Sequence, residues 1–112
     1  MCHRNHKIMM LISAGVLLLS VSSVYAETAE EYYEIGNAYA SQGNLTQAIS
    51  DYTKSVEIDP NYADAYYNRA VAYFGQKYFI KAWEDVHEAE ELGHPSNPEF
   101  LDELKKASGK DK

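Results

Sequence analysis

Cysteine is nearly missing from this chain. The one thiol, Cys2, stands at the front of 112 residues, so no disulfide framework staples the rest. Positive charge is also scarce, with 10 Lys and Arg against 17 Asp and Glu. A surface that acidic lacks the basic face a phosphate backbone needs, which argues against nucleic acid as a partner. No alternating apolar–polar run is present, so no sheet is expected and the fold class is all-α. A Gly-rich phosphate loop, a Cys-x-x-Cys-His sequence and Ser/His/Asp spacing are absent too. The chain is therefore not read as an enzyme and no cofactor is expected. His87 and Glu91 lie one helical turn apart with Glu88, Glu90 and His94 near. Two histidines on a solvated acidic face are too few to expect a metal.

Residues 1–26 contain no acid at all. Arg4, His6 and Lys7 precede an uncharged run, IMMLISAGVLLLSV over 8–21, and Val24-Tyr25-Ala26 follows before Glu27. A basic head, a short apolar stretch and small residues at −3 and −1 make a secretory signal helix with cleavage after Ala26. The alternative is an uncleaved anchor, since 8–24 holds 17 uncharged positions, at the lower limit for spanning a bilayer. Cleavage removes Arg4, Lys7 and Cys2. The product, 27–112, has 8 basic and 17 acidic residues, a net charge of −9. Export, periplasmic or secreted, is the expectation, with membrane attachment only if the signal stays uncut.

Beyond residue 26 the chain repeats itself at an offset of 34. The first copy carries Tyr32, Ile35, Gly36, Tyr39, Ala48, Tyr52 and Pro60. The second carries Tyr66, Arg69, Ala70, Tyr73, Ala82 and Val86, with Pro95 one place late because of the extra Gly93. Helices are expected from about Thr28 to Gln42, Thr46 to Ile58, Tyr62 to Gln76 and Phe79 to Leu92. Thr28 with Glu31 forms a capping box, Gly43-Asn44 a left-handed exit, and Asn61 the cap of the third helix. Asn97-Pro98-Glu99 starts a fifth helix reaching about Lys106. Phe100, Leu101 and Leu104 give it one apolar stripe over a charged opposite face. Ser108 to Lys112 reads as a flexible tail.

This spacing resembles the tetratricopeptide repeat. The resemblance implies a right-handed α-solenoid of two helix–turn–helix units, 29–62 and 63–95, closed by a capping helix over 96–107. It makes Gly36 and Ala48, then Ala70 and Ala82, the small residues where paired helices cross, and Pro60 the closing proline. Arrays of this family bind on the face lined by the first helix of each pair. Tyr33, Asn37, Tyr67, Asn68, Val71 and Phe74 are the partner-binding candidates by repeat position, although the same residues could instead pack against the fifth helix or a second copy. A clamp on a peptide's C-terminal carboxylate, one use of this fold, needs cations beside the asparagines. The first helix has none and the third has only Arg69.

Arg69 stands where the repeat usually has a large apolar residue. A charge there must be paired or reach water, and Asp51 or Asp85 is the expected partner. The function so read is to hold a protein or peptide as a scaffold or assembly factor outside the cytoplasm. Two repeats are few for a stable stack, so a self-associating homo-oligomer is the alternative.

Overall fold

A computed structural model of the chain describes residues 27–109. It contains α1 (Ala29–Ser41), α2 (Leu45–Ile58), α3 (Ala63–Gly75), α4 (Phe79–Glu91) and α5 (Pro98–Ser108). No strand occurs among the described residues. The signal helix, the cleavage point at Ala26 and positions 110–112 lie outside them. Among the described residues no helix is long and apolar enough to cross a membrane, and no group of three or more His, Cys, Asp or Glu could hold a metal.

Three of the five helix starts, those of α1, α2 and α5, carry side-chain caps. Thr28 Oγ1 accepts the Glu31 N–H at 3.1 Å, and Glu31 Oε1 accepts the Thr28 N–H at 3.0 Å. Asn44 Oδ1 takes the Gln47 N–H at 3.3 Å, and Asn97 Oδ1 takes the Glu99 N–H at 2.7 Å. Each bond satisfies a donor that helix geometry leaves orphaned.

Three local expectations are corrected. Asn44 does not share the left-handed exit of α1: Gly43 alone takes it, at φ 80, which frees the Asn44 side chain to cap α2. The cap of α3 is Tyr62 rather than Asn61. Asp59 Oδ1 accepts the Asn61 N–H at 3.0 Å, an Asx turn that carries the chain one residue further. At the other end α5 continues through Ser108 to a left-handed Gly109. Ser108 Oγ accepts the Trp83 indole N–H at 3.0 Å, which ties this last turn down.

Helices α1 and α2 pack as one hairpin, α3 and α4 as a second, with α2 against α3 joining them and α5 resting on α4. Small residues set the spacing: Ala48, Ala70 and Ala82 are fully buried. Tyr52 fills the first crossing, while Trp83, Val86 and Leu104 fill the second, with Phe100 and Leu101 of α5 packed on them.

The two hairpin turns are copies. The Asn44 N–H donates to Tyr39 O and the Tyr78 N–H to Tyr73 O, both at 2.9 Å. Each needs a left-handed residue just before. The first turn uses Gly43, whereas the second uses Lys77 at φ 68. A side chain there costs about 1–2 kcal/mol, offset in part by the greater unfolded entropy of glycine, about 0.4–1 kcal/mol. Lys77→Gly is expected to stabilise the protein by about 0.5–1 kcal/mol and raise Tm by several degrees, read by thermal melting. An unchanged or lower Tm would show the turn is not strained.

Candidate functional site

The site starts at Gly36. A Cβ there would lie 2.7 Å from Tyr52 Cε1, so only glycine lets the Tyr52 ring come this close to α1. That approach brings the Tyr52 hydroxyl to the neighbouring Asn37, where it donates to Oδ1 at 2.7 Å. Asn37 Oδ1 also accepts Asn68 Nδ2 at 2.9 Å, and Asn68 donates in addition to Tyr33 Oη at 3.2 Å. Four side chains from α1, α2 and α3 thus form one polar cluster. The Tyr33 ring packs on Tyr52 and Tyr62, with centroids 6.0 and 5.1 Å apart.

This cluster borders a cavity of about 280 Å³ walled by Asn37, Ala40, Leu45, Tyr52, Asn68, Val71 and Ala72. The bonds above use Asn37 Oδ1 and Asn68 Nδ2. Asn37 Nδ2 and Asn68 Oδ1 make no hydrogen bond to any described residue. An amide donor and an amide acceptor on one wall match the two polar groups of a peptide unit. Val71, 42% exposed, adds apolar surface beside them.

The six partner-binding candidates are therefore divided. Asn37, Asn68 and Val71 line the cavity, and Tyr33 braces it. Tyr67 and Phe74 face α5 instead. The Tyr67 ring stacks on His94 at 4.4 Å and meets Phe100 at 5.7 Å, and its hydroxyl accepts the Asn97 N–H at 3.3 Å. Phe74 sits between Phe79 and Phe100, at 5.8 and 5.5 Å. Ala40, Leu45, Tyr52 and Ala72 also line the cavity and are not among the six candidates. The Gly36-Asn37 pair was the available signal: space for a ring beside a polar side chain it could reach.

Burial pushes the Tyr52 phenol up to about 12, against about 10 in an unfolded chain. The fold prefers the neutral phenol, so this contribution is whole below pH 10 and lost as pH rises through 12. The urea midpoint is expected to fall between pH 10 and 12, less steeply in Tyr52→Phe. Equal slopes for the two proteins would remove Tyr52 from the cause.

No cation lines the cavity. Arg69, on the same helix as Asn68, is committed elsewhere. Its Nε and Nη2 donate to Asp85 Oδ2 and Oδ1 at 2.7 and 2.8 Å, and Nη1 donates to Thr53 Oγ1 at 3.1 Å. Of the two expected carboxylates the fold selects Asp85, with Thr53 tying the pair to the first hairpin. Asp51 has Ile35 where Asp85 has Arg69, by repeat position, and accepts Gln47 Nε2 at 3.2 Å instead.

Comparison with known proteins matches this architecture. Residues 29–77 fit the family model described as TPR repeat. The first TPR of Spaghetti (RPAP3), solved bound to the HSP90 peptide SRMEEVD, superposes with a TM-score of 0.59 at 29% identity. That match covers 73% of this chain and 94% of that one. Residues 29–77 are thus similar to TPR repeats.

Curated relatives match part of this segment. Stress-induced-phosphoprotein 1 of Caenorhabditis elegans is 30% identical over 67 residues, 60% of this chain and 21% of that protein. An uncharacterized protein of Methanocaldococcus jannaschii is 36% identical over 44 residues, 39% of this chain and 51% of its own length. The chain spans well under two thirds of either relative.

Proposed function

We propose that this protein holds an extended peptide segment of a protein partner against the face shared by α1 and α3. Two repeats and a capping helix form a short right-handed solenoid, and the module works outside the cytoplasm after export. The observation that carries the reading is the open amide pair, Asn37 Nδ2 and Asn68 Oδ1, on the wall of the α1–α3 cavity. Such a pair reads backbone, and Val71 offers contact to a neighbouring side chain. With Arg69 held by Asp85, no cation faces a terminal carboxylate, so an internal segment suits the site better than a chain end. The charge pattern of residues 1–26 supports export.

Affinity capture from a native extract tests this, with the full chain as bait and Asn68→Ala/Val71→Asp as control. Both positions leave the α5 contacts of Tyr67 and Phe74 intact. A protein retained by the wild type is expected to be lost, by about tenfold or more in affinity, from the variant. Equal retention by a folded variant would refute the site.

A further inference from the structure

Counted from their caps, the helices α1, α3 and α5 reach an eleventh residue in their last turns: Tyr39 after Thr28, Tyr73 after Tyr62, and Ser108 after Asn97. Two rings are followed by a hydroxyl. Beside Ser108 lies an open cavity of about 640 Å³, between the first turns of α4 and the last turn of α5. Phe79, Trp83 and Ala107 give its lining apolar surface. The Trp83 indole N–H reaches Ser108 Oγ at 3.0 Å.

The rim departs from the repeat in the same direction. At an offset of 34, Gly43, Asn44, Thr46 and Gln47 of the first hairpin become Lys77, Tyr78, Ile80 and Lys81. Three polar residues and a glycine give way to two large apolar residues and two lysines. Tyr78 is 55% and Ile80 64% exposed, surface that a packed end would not leave open. Lys77 holds left-handed backbone, φ 68, where the first hairpin has glycine, and local strain of this kind gathers at functional positions.

We propose that this cavity is a second docking site, for a peptide segment carrying a leucine or aromatic side chain flanked by aspartate or glutamate. The apolar lining has room for one or two large side chains. Charge supplies the rest. Neither Lys77 nor Lys81 pairs with a carboxylate among the described residues. The Lys81 ammonium lies 5.5 Å from the Tyr73 ring and 5.9 Å from the Tyr78 ring. Glu84 is the one acid on the lining. In a chain of 17 acids and 10 bases, this rim attracts a negative segment that most of the surface repels. It shares no residue with the α1–α3 cavity, so either site can fail without the other.

Random dodecamer peptides displayed on phage, panned against the full 112-residue chain, test the proposal. The most enriched peptides are synthesised and titrated against the fluorescence of Trp83, the only tryptophan in the chain. Enriched sequences are expected to set two or more acids beside a leucine or aromatic residue, to perturb Trp83, and to weaken with salt. Affinity is expected to drop about tenfold or more in Ile80→Asp and in Lys81→Glu, and to stay unchanged in Asn68→Ala. Lys77→Gly separates binding from folding: Tm rises while affinity falls. The proposal is overturned if no peptide enriches, if enriched peptides lack acids, or if they survive Ile80→Asp and are lost in Asn68→Ala. Sedimentation showing a dimer that Ile80→Asp dissolves would also overturn it, in favour of a second copy of the chain.

Discussion

Asp85→Leu is expected to cost about 3–5 kcal/mol of folding stability, a large part of what a domain this small holds. The Arg69 and Asp85 side chains are only 15% and 7% exposed. Removing the carboxylate leaves a guanidinium in the interior with Thr53 Oγ1 as its remaining acceptor among the described residues. Urea denaturation reads the loss directly. A change under about 1 kcal/mol would mean that Arg69 swings out to water, as an exposed pair would allow.

The reverse substitution behaves differently. Burial pushes the Asp85 carboxyl above its ordinary range even with the Arg69 guanidinium pulling it down. In Arg69→Leu that pull is gone, but the carboxyl can take up a proton, which arginine cannot lose. Its folded pKa then lies above the unfolded value near 3.9. Stability is whole below that value and drains as pH rises through the folded pKa. Arg69→Leu is therefore costly at pH 7 and recovers toward pH 4, whereas Asp85→Leu stays costly across the range. The double leucine variant is expected to be neutral or more stable by about 1–4 kcal/mol, because neither charge is left in the interior. Additive losses would disprove the coupling.

Which parts were legible in the sequence follows from whether the signal was local. The caps at Thr28 and Asn97 and the start at Pro98 were visible because a cap acts within three residues. Asn61 misled because Asp59, two residues earlier, competes for its N–H, and both are good turn formers. The pairing of Arg69 was narrowed to two equivalent aspartates by the repeat, but choosing Asp85 needed the crossing of α3 and α4. Asn37 and Asn68 were nameable by repeat position. The bond that Tyr52 brings to their cluster was not, since it depends on how closely Gly36 lets α2 approach. Tyr67 and Phe74 share a repeat face with them, yet α5 covers that end, and the packing of a lone last helix is not carried by the repeat.

Gly36→Ala and Gly75→Ala look alike on paper and are expected to differ in sign. A Cβ at either position meets a side-chain atom too closely, Tyr52 Cε1 at 2.7 Å and Leu45 Cδ1 at 2.6 Å. The Leu45 contact is a terminal methyl of a half-buried side chain, with its next atom at 3.9 Å, and one rotation clears it. The helix gain of alanine over glycine, about 1 kcal/mol, then leaves Gly75→Ala neutral to slightly stabilising. Tyr52 has no such freedom. Its ring is 1% exposed, its hydroxyl is fixed to Asn37 at 2.7 Å, and a second ring atom lies 2.8 Å from the same Cβ. Overpacking of about 1–3 kcal/mol outweighs the helix gain, so Gly36→Ala loses about 1–2 kcal/mol in urea denaturation and loosens the Asn37 end of the polar cluster.

The second hairpin already contains the compensated version. At an offset of 34, Gly36 becomes Ala70 and Tyr52 becomes Val86, and both are fully buried there. A smaller residue on α4 makes room for the Cβ on α3. In a Tyr52→Val background, Gly36→Ala is thus expected to stabilise by up to about 1 kcal/mol, a coupling of about 2–3 kcal/mol between the two sites. The first hairpin keeps the tight glycine–tyrosine form, and that form alone places a hydroxyl on Asn37. If Gly36→Ala remains as costly in the Tyr52→Val background as beside the native ring, the crowding does not come from Tyr52, and the link between Gly36 and the Asn37–Asn68 pair is lost with it.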